Sequence, residues 1–335
     1  MSTIKTNAIL DASGGNTTTI NSVTPTAYNT MGKNRIINGA MEIWQRGTSL
    51  TSSSNQAYGF ADRWMTNIAG TATWSQSADV PSSGFKYSLS VAGTSATYAG
   101  IVQRIESNNC LDLSGQSVTV SFWAKQSVGS SGIAMALHHA NSADAFGSVT
   151  SIGSTTFTLT SSWAKYSYTF TNLPSGSLNG LQLTIYVNAA SATDTILYTG
   201  VQLEVGSVAT EFERRPYGTE LALCQRYCVV ISGAGTTASS SPVASGYCVG
   251  TTNFYVPYVF KVTPRTPPTG ISVTNPTSFT CAFGAASNPS AINFTGGSFE
   301  GCFMQAVITG GTGGYGGVMY MNNTNAKIEI TGMEL

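Results

Sequence analysis

From Ile36 to about Phe212 the apolar residues recur at every second position, and no other feature constrains the fold of this chain as strongly. Val118, Val120, Phe122 and Ala124 share one face, with Thr119, Ser121, Trp123 and Lys125 on the other. Ala164, Tyr166, Tyr168 and Phe170 alternate with Lys165, Ser167 and Thr169, and Leu181, Leu183, Ile185 and Val187 with Gln182, Thr184 and Tyr186. A helix would scatter these residues around its axis, whereas a pleated strand gathers them on one side. Ser, Gly and Asn turns separate the runs, which predicts an antiparallel sandwich. Pairing of its first and last segments would close a jelly roll.

The chain divides into four parts. Residues 1–33 are Thr/Asn/Gly-rich and thinly apolar, an extended arm that lacks a core of its own. Residues 34–212 form the predicted jelly-roll β-sandwich. Charge concentrates in a joint at 213–228, preceded by Glu204 and Glu211 and containing Glu213, Arg214, Arg215, Glu220 and Arg226. After Pro216 and Gly218, Thr219 is placed to cap a short linking helix with Leu221, Cys224 and Cys228 on one face. One reading of this joint is a solvated linker. The other is a helix on a symmetry axis, with Leu221, Cys224 and Cys228 at the interface and Glu213, Arg214 and Arg215 pairing between chains. Residues 229–335 read as a C-terminal β-sandwich, in which Pro257 of FYVPYVFKV suits an edge strand or a bulge. The predicted class is all-β throughout.

Charged residues make up 9% of the chain, against about 25% in an average globular protein, while the hydrophobic fraction is 41%. That balance excludes disorder, which needs few apolar residues and much charge. It also excludes a nucleic-acid partner, which needs a basic footprint. With a formal net charge of +0 the monomer lacks the repulsion that opposes association, so a homo-oligomer is expected. No apolar run reaches the roughly 20 residues of a membrane span, so no membrane insertion is expected. The first residues, MSTIKTNAIL, lack a signal-peptide pattern, which predicts synthesis and folding in the cytoplasm. The six cysteines are scattered without a CxxC, which favours buried free thiols.

Catalytic patterns are poorly represented. The two histidines, His138 and His139, are adjacent, so alternation turns them to opposite faces, and no GxSxG elbow is present. Glycan cleavage needs two carboxylates about 5 to 9.5 Å apart. Glu42, Asp62, Glu106 and Asp112 are candidates, but no pair is placed by sequence. The run TGGTGGYGG (309–317) lacks the Lys-Ser/Thr of a phosphate loop and reads as a flexible loop or a receptor-contacting tip. Candidate receptor or glycan contacts are Trp123, exposed on its sheet or covered by a loop, with Tyr255 and Tyr315 in the second unit.

Two segments carry a resemblance. NRIINGAMEIWQRGTS with the following YGFADRW (34–64), and YTGVQLEVGSVATEFERRPYGTELALCQRYC (198–228), resemble the opening and closing strands of a domain found in bacteriophage tail-fibre and other virion proteins, notably marine ones. ILDASGGNTTTINSVTPT (9–26) is similar to the arm that precedes that domain. The resemblance implies a non-enzymatic virion protein made in the host cytoplasm: a homotrimeric tail fibre used in host-cell attachment. Its arm would bind other virion proteins and its C-terminal domain a host glycan or protein. A capsid decoration or head-fibre protein and a glycan-degrading tailspike are the alternatives. A cellular carbohydrate-binding module is a third. The first domain is also similar to jelly-roll carbohydrate-binding modules, which implies a structural calcium with Glu42 and Glu204 as ligands. Where that family has acidic residues before its last strand, this chain has Thr199-Gly200.

Overall fold

The structure, a computed structural model, describes residues 32–335 except 82–83, 128–131, 189–194 and 234–240. All but the last two residues of the expected arm (1–33) lie outside the described residues. The fold is nearly all β and divides into two compact units, one reaching Arg215 and including Leu335, the other Pro216–Glu334.

The first unit contains β1 (Ser49–Ser52), β2 (Met65–Ser77), β3 (Ser88–Ile105), β4 (Val118–Gln126), β5 (Gly132–Ser142), β6 (Ala145–Thr158), β7 (Ala164–Phe170), β8 (Leu181–Asn188) and β9 (Thr195–Val205). They form one sheet in the order β6-β5-β8-β3-β9-β4-β7, with β2 on the other side of β3 and β1 beyond it. The 18-residue β3 explains how one sheet makes two layers. It pairs with β8 over Tyr98–Ile105 and with β9 over Leu89–Ala92, so the sheet curls around it into a sandwich. Leu181, Leu183, Ile185 and Val187 face Val118, Val120 and Phe122 across one core, on the faces that the alternation assigned.

The motif residues at 34–64 turn out to knit the sandwich shut. Arg35 N–H donates to Leu203 O and Val201 N–H to Gly39 O, both at 2.9 Å, so the entering segment lies along β9. Asn34 Oδ1 accepts from the Ile36 and Leu203 N–H groups, and its Nδ2 donates to Val201 O. Asn38, at φ 56, takes the left-handed conformation that Asn tolerates. Its amide donates to Ile43 O and Asp62 O and accepts from the N–H groups of Glu42 and Ile43. Trp64 Nε1 then donates to Asn38 O, locking the second half of the motif onto the first. Gly39 is required because a Cβ there would stand 2.1 Å from Val201 O.

In the second unit the helix α1 (Tyr217–Gln225) begins after Pro216, not at a Thr219 cap. Proline has no N–H to leave unsatisfied at a helix start, so it serves where Thr219 was expected. The buried helix residues are Glu220 and Cys224, one turn apart, while Leu221 lies one step around the helix and is half-buried. β10 (Val229–Ser232), β19 (Lys327–Thr331) and β13 (Gly270–Thr274) make a three-stranded sheet. The other sheet runs β15 (Ala286–Ser287), β14 (Phe279–Ala282), β18 (Gly316–Met321), β11 (Ser241–Val249), β12 (Asn253–Val259), β17 (Gly301–Val307), β16 (Ala291–Gly297). Phe254, Val256, Phe279, Met304, Met319, Ile328 and Ile330 fill the core they share. β12 is an interior strand, not the expected edge. Its pairing with β11 ends at Tyr255, however, so Pro257 has a ladder partner on the β17 side only.

All six cysteines are free and buried. Burial pushes the Cys110 and Cys281 thiols up to about 12 and Cys302 up to about 11, which makes them packing residues rather than nucleophiles.

Candidate functional site

In the first unit the core-facing residues of β3, β8 and β5 leave the intervening ones on the outer face of that layer. Register aligns Asn67, Gly100, Tyr186, Ala134 and Thr156 across five strands. Small residues at Gly100 and Ala134 flank Tyr186. The half-buried rings of Tyr98 and Tyr186 meet edge to face, with centroids 5.9 Å apart and planes at 67°. Further along the same face, Arg104 Nε donates to Gln182 Oε1 at 3.0 Å and Nη2 to Gln56 Oε1 at 2.7 Å. Its Nη1 donates to Leu335 O at 2.8 Å, and its guanidinium lies 5.1 Å from the Phe146 ring centroid. This end of the face is therefore filled, and the Tyr98–Tyr186 end carries the accessible aromatic surface. Tyr98 and Tyr186 were not singled out from sequence. The signal was present in LQLTIYVN, where an aromatic interrupts a face otherwise given to Gln and Thr.

Trp123 lies on the outer face of β4, paired with Lys165 on β7 and Thr199 on β9. A Cβ on Gly200 would stand 3.1 Å from its Cδ1 and 2.8 Å from Phe85 Cζ, so Phe85 lies over the indole region. Phe85 packs on Phe212 with centroids 5.4 Å apart, and Arg214 lies 5.0 Å above the Phe85 ring. Trp123 is thus half-buried under a loop, the second of the two readings open to it.

The joint residues are engaged within one chain. Glu213 accepts from the N–H groups of Gly32 and Asn34, Arg215 donates to Ile36 O and Asn34 O, and Arg214 pairs with Glu42 at 3.4 Å. Cys224 and Cys228 are buried in the single chain. Within the chain these charges clamp the entering segment to the closing one.

Glu42 and Glu204 do not fit a calcium site. Buried Glu204 accepts from Gln202 Nε2 at 2.8 Å, from Thr210 N–H at 2.9 Å and from Thr210 Oγ1 at 2.6 Å. Calcium takes six to eight oxygen ligands, whereas donors converge on this carboxylate and Arg214 pairs with the other. Among the described residues no group of three or more His, Cys, Asp or Glu is arranged to hold a metal. The candidate hydrolytic carboxylates have structural duties as well. Asp62 accepts from Gln45 N–H and Nε2, Asp112 pairs with Arg35 at 2.5 Å, and Glu106 is buried.

In the second unit Tyr255 stacks on Tyr247 across β12 and β11, with centroids 6.1 Å apart and planes at 20°. Tyr315 is exposed but not on that face. It precedes Gly316, the residue opposite Tyr247, and its ring lies 3.8 Å from where a Cβ on Gly284 would stand.

No curated protein sequence matches the chain. Among solved structures it is similar to the enzymatically active domain of Bacteriophage CBA120 tailspike protein 4, at 16% identity and TM-score 0.37, covering 52% of this chain and 21% of that one. It is similar to a putative sugar binding protein from Bacteroides thetaiotaomicron at 13% identity and TM-score 0.37, covering 52% of this chain and 100% of that one. A third likeness, at 15% identity and TM-score 0.33, is to a carbohydrate-binding module in complex with β-1,4-galactotriose, with 52% and 100% covered. The chain thus spans about a fifth of the tailspike's length. Residues 56–193, less than half of the chain and all within the first unit, match the family described as Carbohydrate binding domain.

Proposed function

We propose that this chain is a non-enzymatic adhesion protein that holds glycan on the outer face of its first unit, at Tyr98 and Tyr186. The carrying observation is that the segment matching a carbohydrate-binding family contains this accessible aromatic pair on a face of Gly, Ala, Thr and Asn. Sugars need that combination: ring CH groups pack on aromatic surface while hydroxyls bond to neutral polar groups. A native gel containing soluble β-glucan, mannan or xylan tests it. At least one polysaccharide retards the protein, and Tyr98→Ala or Tyr186→Ala weakens the retardation about tenfold. Undiminished retardation of both variants overturns this site. Release of reducing sugar from the polysaccharide favours the tailspike reading instead.

The finer form of the proposal is a homotrimeric phage tail fibre, located on the virion and joined to other virion proteins by its N-terminal arm. The resemblance of residues 34–64 and 198–228 to virion-protein strands supports it, as does the chain's neutrality. Antibody labelling of virions distinguishes a tail fibre from a head decoration. Light scattering tests the trimer: a mass of one 34.9 kDa chain at micromolar concentration overturns it.

A further inference from the structure

We infer that the second unit carries a binding site of its own for a neutral glycan, on the outer face of its seven-stranded sheet. Register places Gly316, Tyr247, Tyr255, Gln305 and Asn293 side by side across β18, β11, β12, β17 and β16. Four strand steps at about 4.8 Å make a row roughly 19 Å long, the length of several linked sugar rings rather than one. The alternate residues Cys248, Phe254, Val256, Met304 and Ala306 are buried, so the row is the face turned away from the core.

Three observations specify the ligand. First, the row offers aromatic surface and amides in sequence. Tyr247 is 44% exposed and stacks on Tyr255, and Gln305 Nε2 donates to Asn253 Oδ1 at 2.8 Å beside them. On its other side Tyr247 faces Gly316, which has no side chain. Among the described residues, its chain neighbours aside, a Cβ there would find only Gly246 O, at 3.9 Å, so a slot is open against that ring. Second, two residues further along the strands the face deepens into a groove of about 490 Å³, lined by Pro257, Val259, Phe303, Gly296 and Gly297, with the exposed Glu300 at the turn from β16 to β17. Val259 and Phe303 are 75% and 44% exposed there. Third, none of the seven strands contains a Lys, Arg, Asp, Glu or His. An anionic ligand would be desolvated on this face without compensation and would meet the Glu300 carboxylate beside the groove. An uncharged polyhydroxylated chain loses little, packs its CH faces on the rings and bonds to the amides and phenols.

The site lies outside the matched segment 56–193 and is independent of the Tyr98–Tyr186 proposal. The full chain is run in native gels containing soluble β-glucan, mannan or xylan, with alginate as the polyanionic control. Tyr247→Ala and Tyr255→Ala are expected to weaken retardation by a neutral polysaccharide about tenfold. Gly316→Val, which fills the slot without a backbone clash, is expected to weaken it similarly while the thermal transition stays unchanged. If Tyr98→Ala and Tyr186→Ala leave retardation intact while these variants lose it, the first-unit site fails and this one stands. Three results overturn the inference: wild-type retardation by alginate alone or by none of the four, retardation unaffected by Gly316→Val and both tyrosine variants, or a change only in oligomer mass. The last would assign the face to a second copy of the chain.

Discussion

Both units are curled antiparallel β-structures, yet they place their polar residues in opposite ways. The first buries Asp62, Glu204, Asn34 and Asn38 and bonds them to the backbone of its entering and closing segments. All five tryptophans belong to it. The second has a core of Phe, Met, Cys and Ile under a sheet free of charge. The first therefore holds its shape through directional bonds that tolerate little change, the second through adaptable apolar packing. Its outer sheet face, with no charge to keep hydrated, is left available for contact.

Core substitutions break this comparison most sharply. Trp74 is fully buried, stacks on Phe60 at 5.8 Å and donates its Nε1 to Gly100 O at 2.9 Å. Trp74→Ala is expected to cost about 3 to 5 kcal/mol. Met319→Leu at an equally buried position of the second unit should cost less than about 1.5 kcal/mol. Denaturant titration measures both. Tryptophan fluorescence reports the first unit alone and hydrogen exchange follows the second. A loss well above about 1.5 kcal/mol for Met319→Leu would show that the second core is no more adaptable than an ordinary one.

A smaller effect is expected at the joint. Arg215→Ala removes donors to Asn34 O and Ile36 O and should destabilise the first unit by about 1 to 3 kcal/mol. The mass measured by light scattering should not change, because Arg215 acts within one chain. A drop in oligomer mass at unchanged stability would return Arg215 to an inter-chain role.

The smallest effect sharpens the account of polar groups in the first unit. Tyr198 is buried in the core and its hydroxyl has no hydrogen-bond partner among the described residues, and burial raises its phenol well above the ordinary range. Tyr198→Phe should leave stability unchanged or raise it by up to about 1 kcal/mol. A clear loss would mean that the hydroxyl is satisfied in solution and belongs to the bonded network.

Much of the architecture was legible in the chain. The alternations at 118–124, 164–170 and 181–187 identified β4, β7 and β8 and their buried faces, because a side chain's face in a strand follows from parity alone. Less of the candidate sites was legible. Tyr255 was singled out, but its neighbours Tyr247 and Gln305 lie 8 and 50 positions away in the sequence and meet it only through cross-strand register. Local sequence thus determined strand identity and the all-β class. Tertiary structure decided that Phe85 lies over Trp123, that the joint charges clamp their own chain, and that two tyrosines stand side by side beside an open glycine. Strand order and register are fixed by long-range packing and turn geometry, which no local pattern encodes.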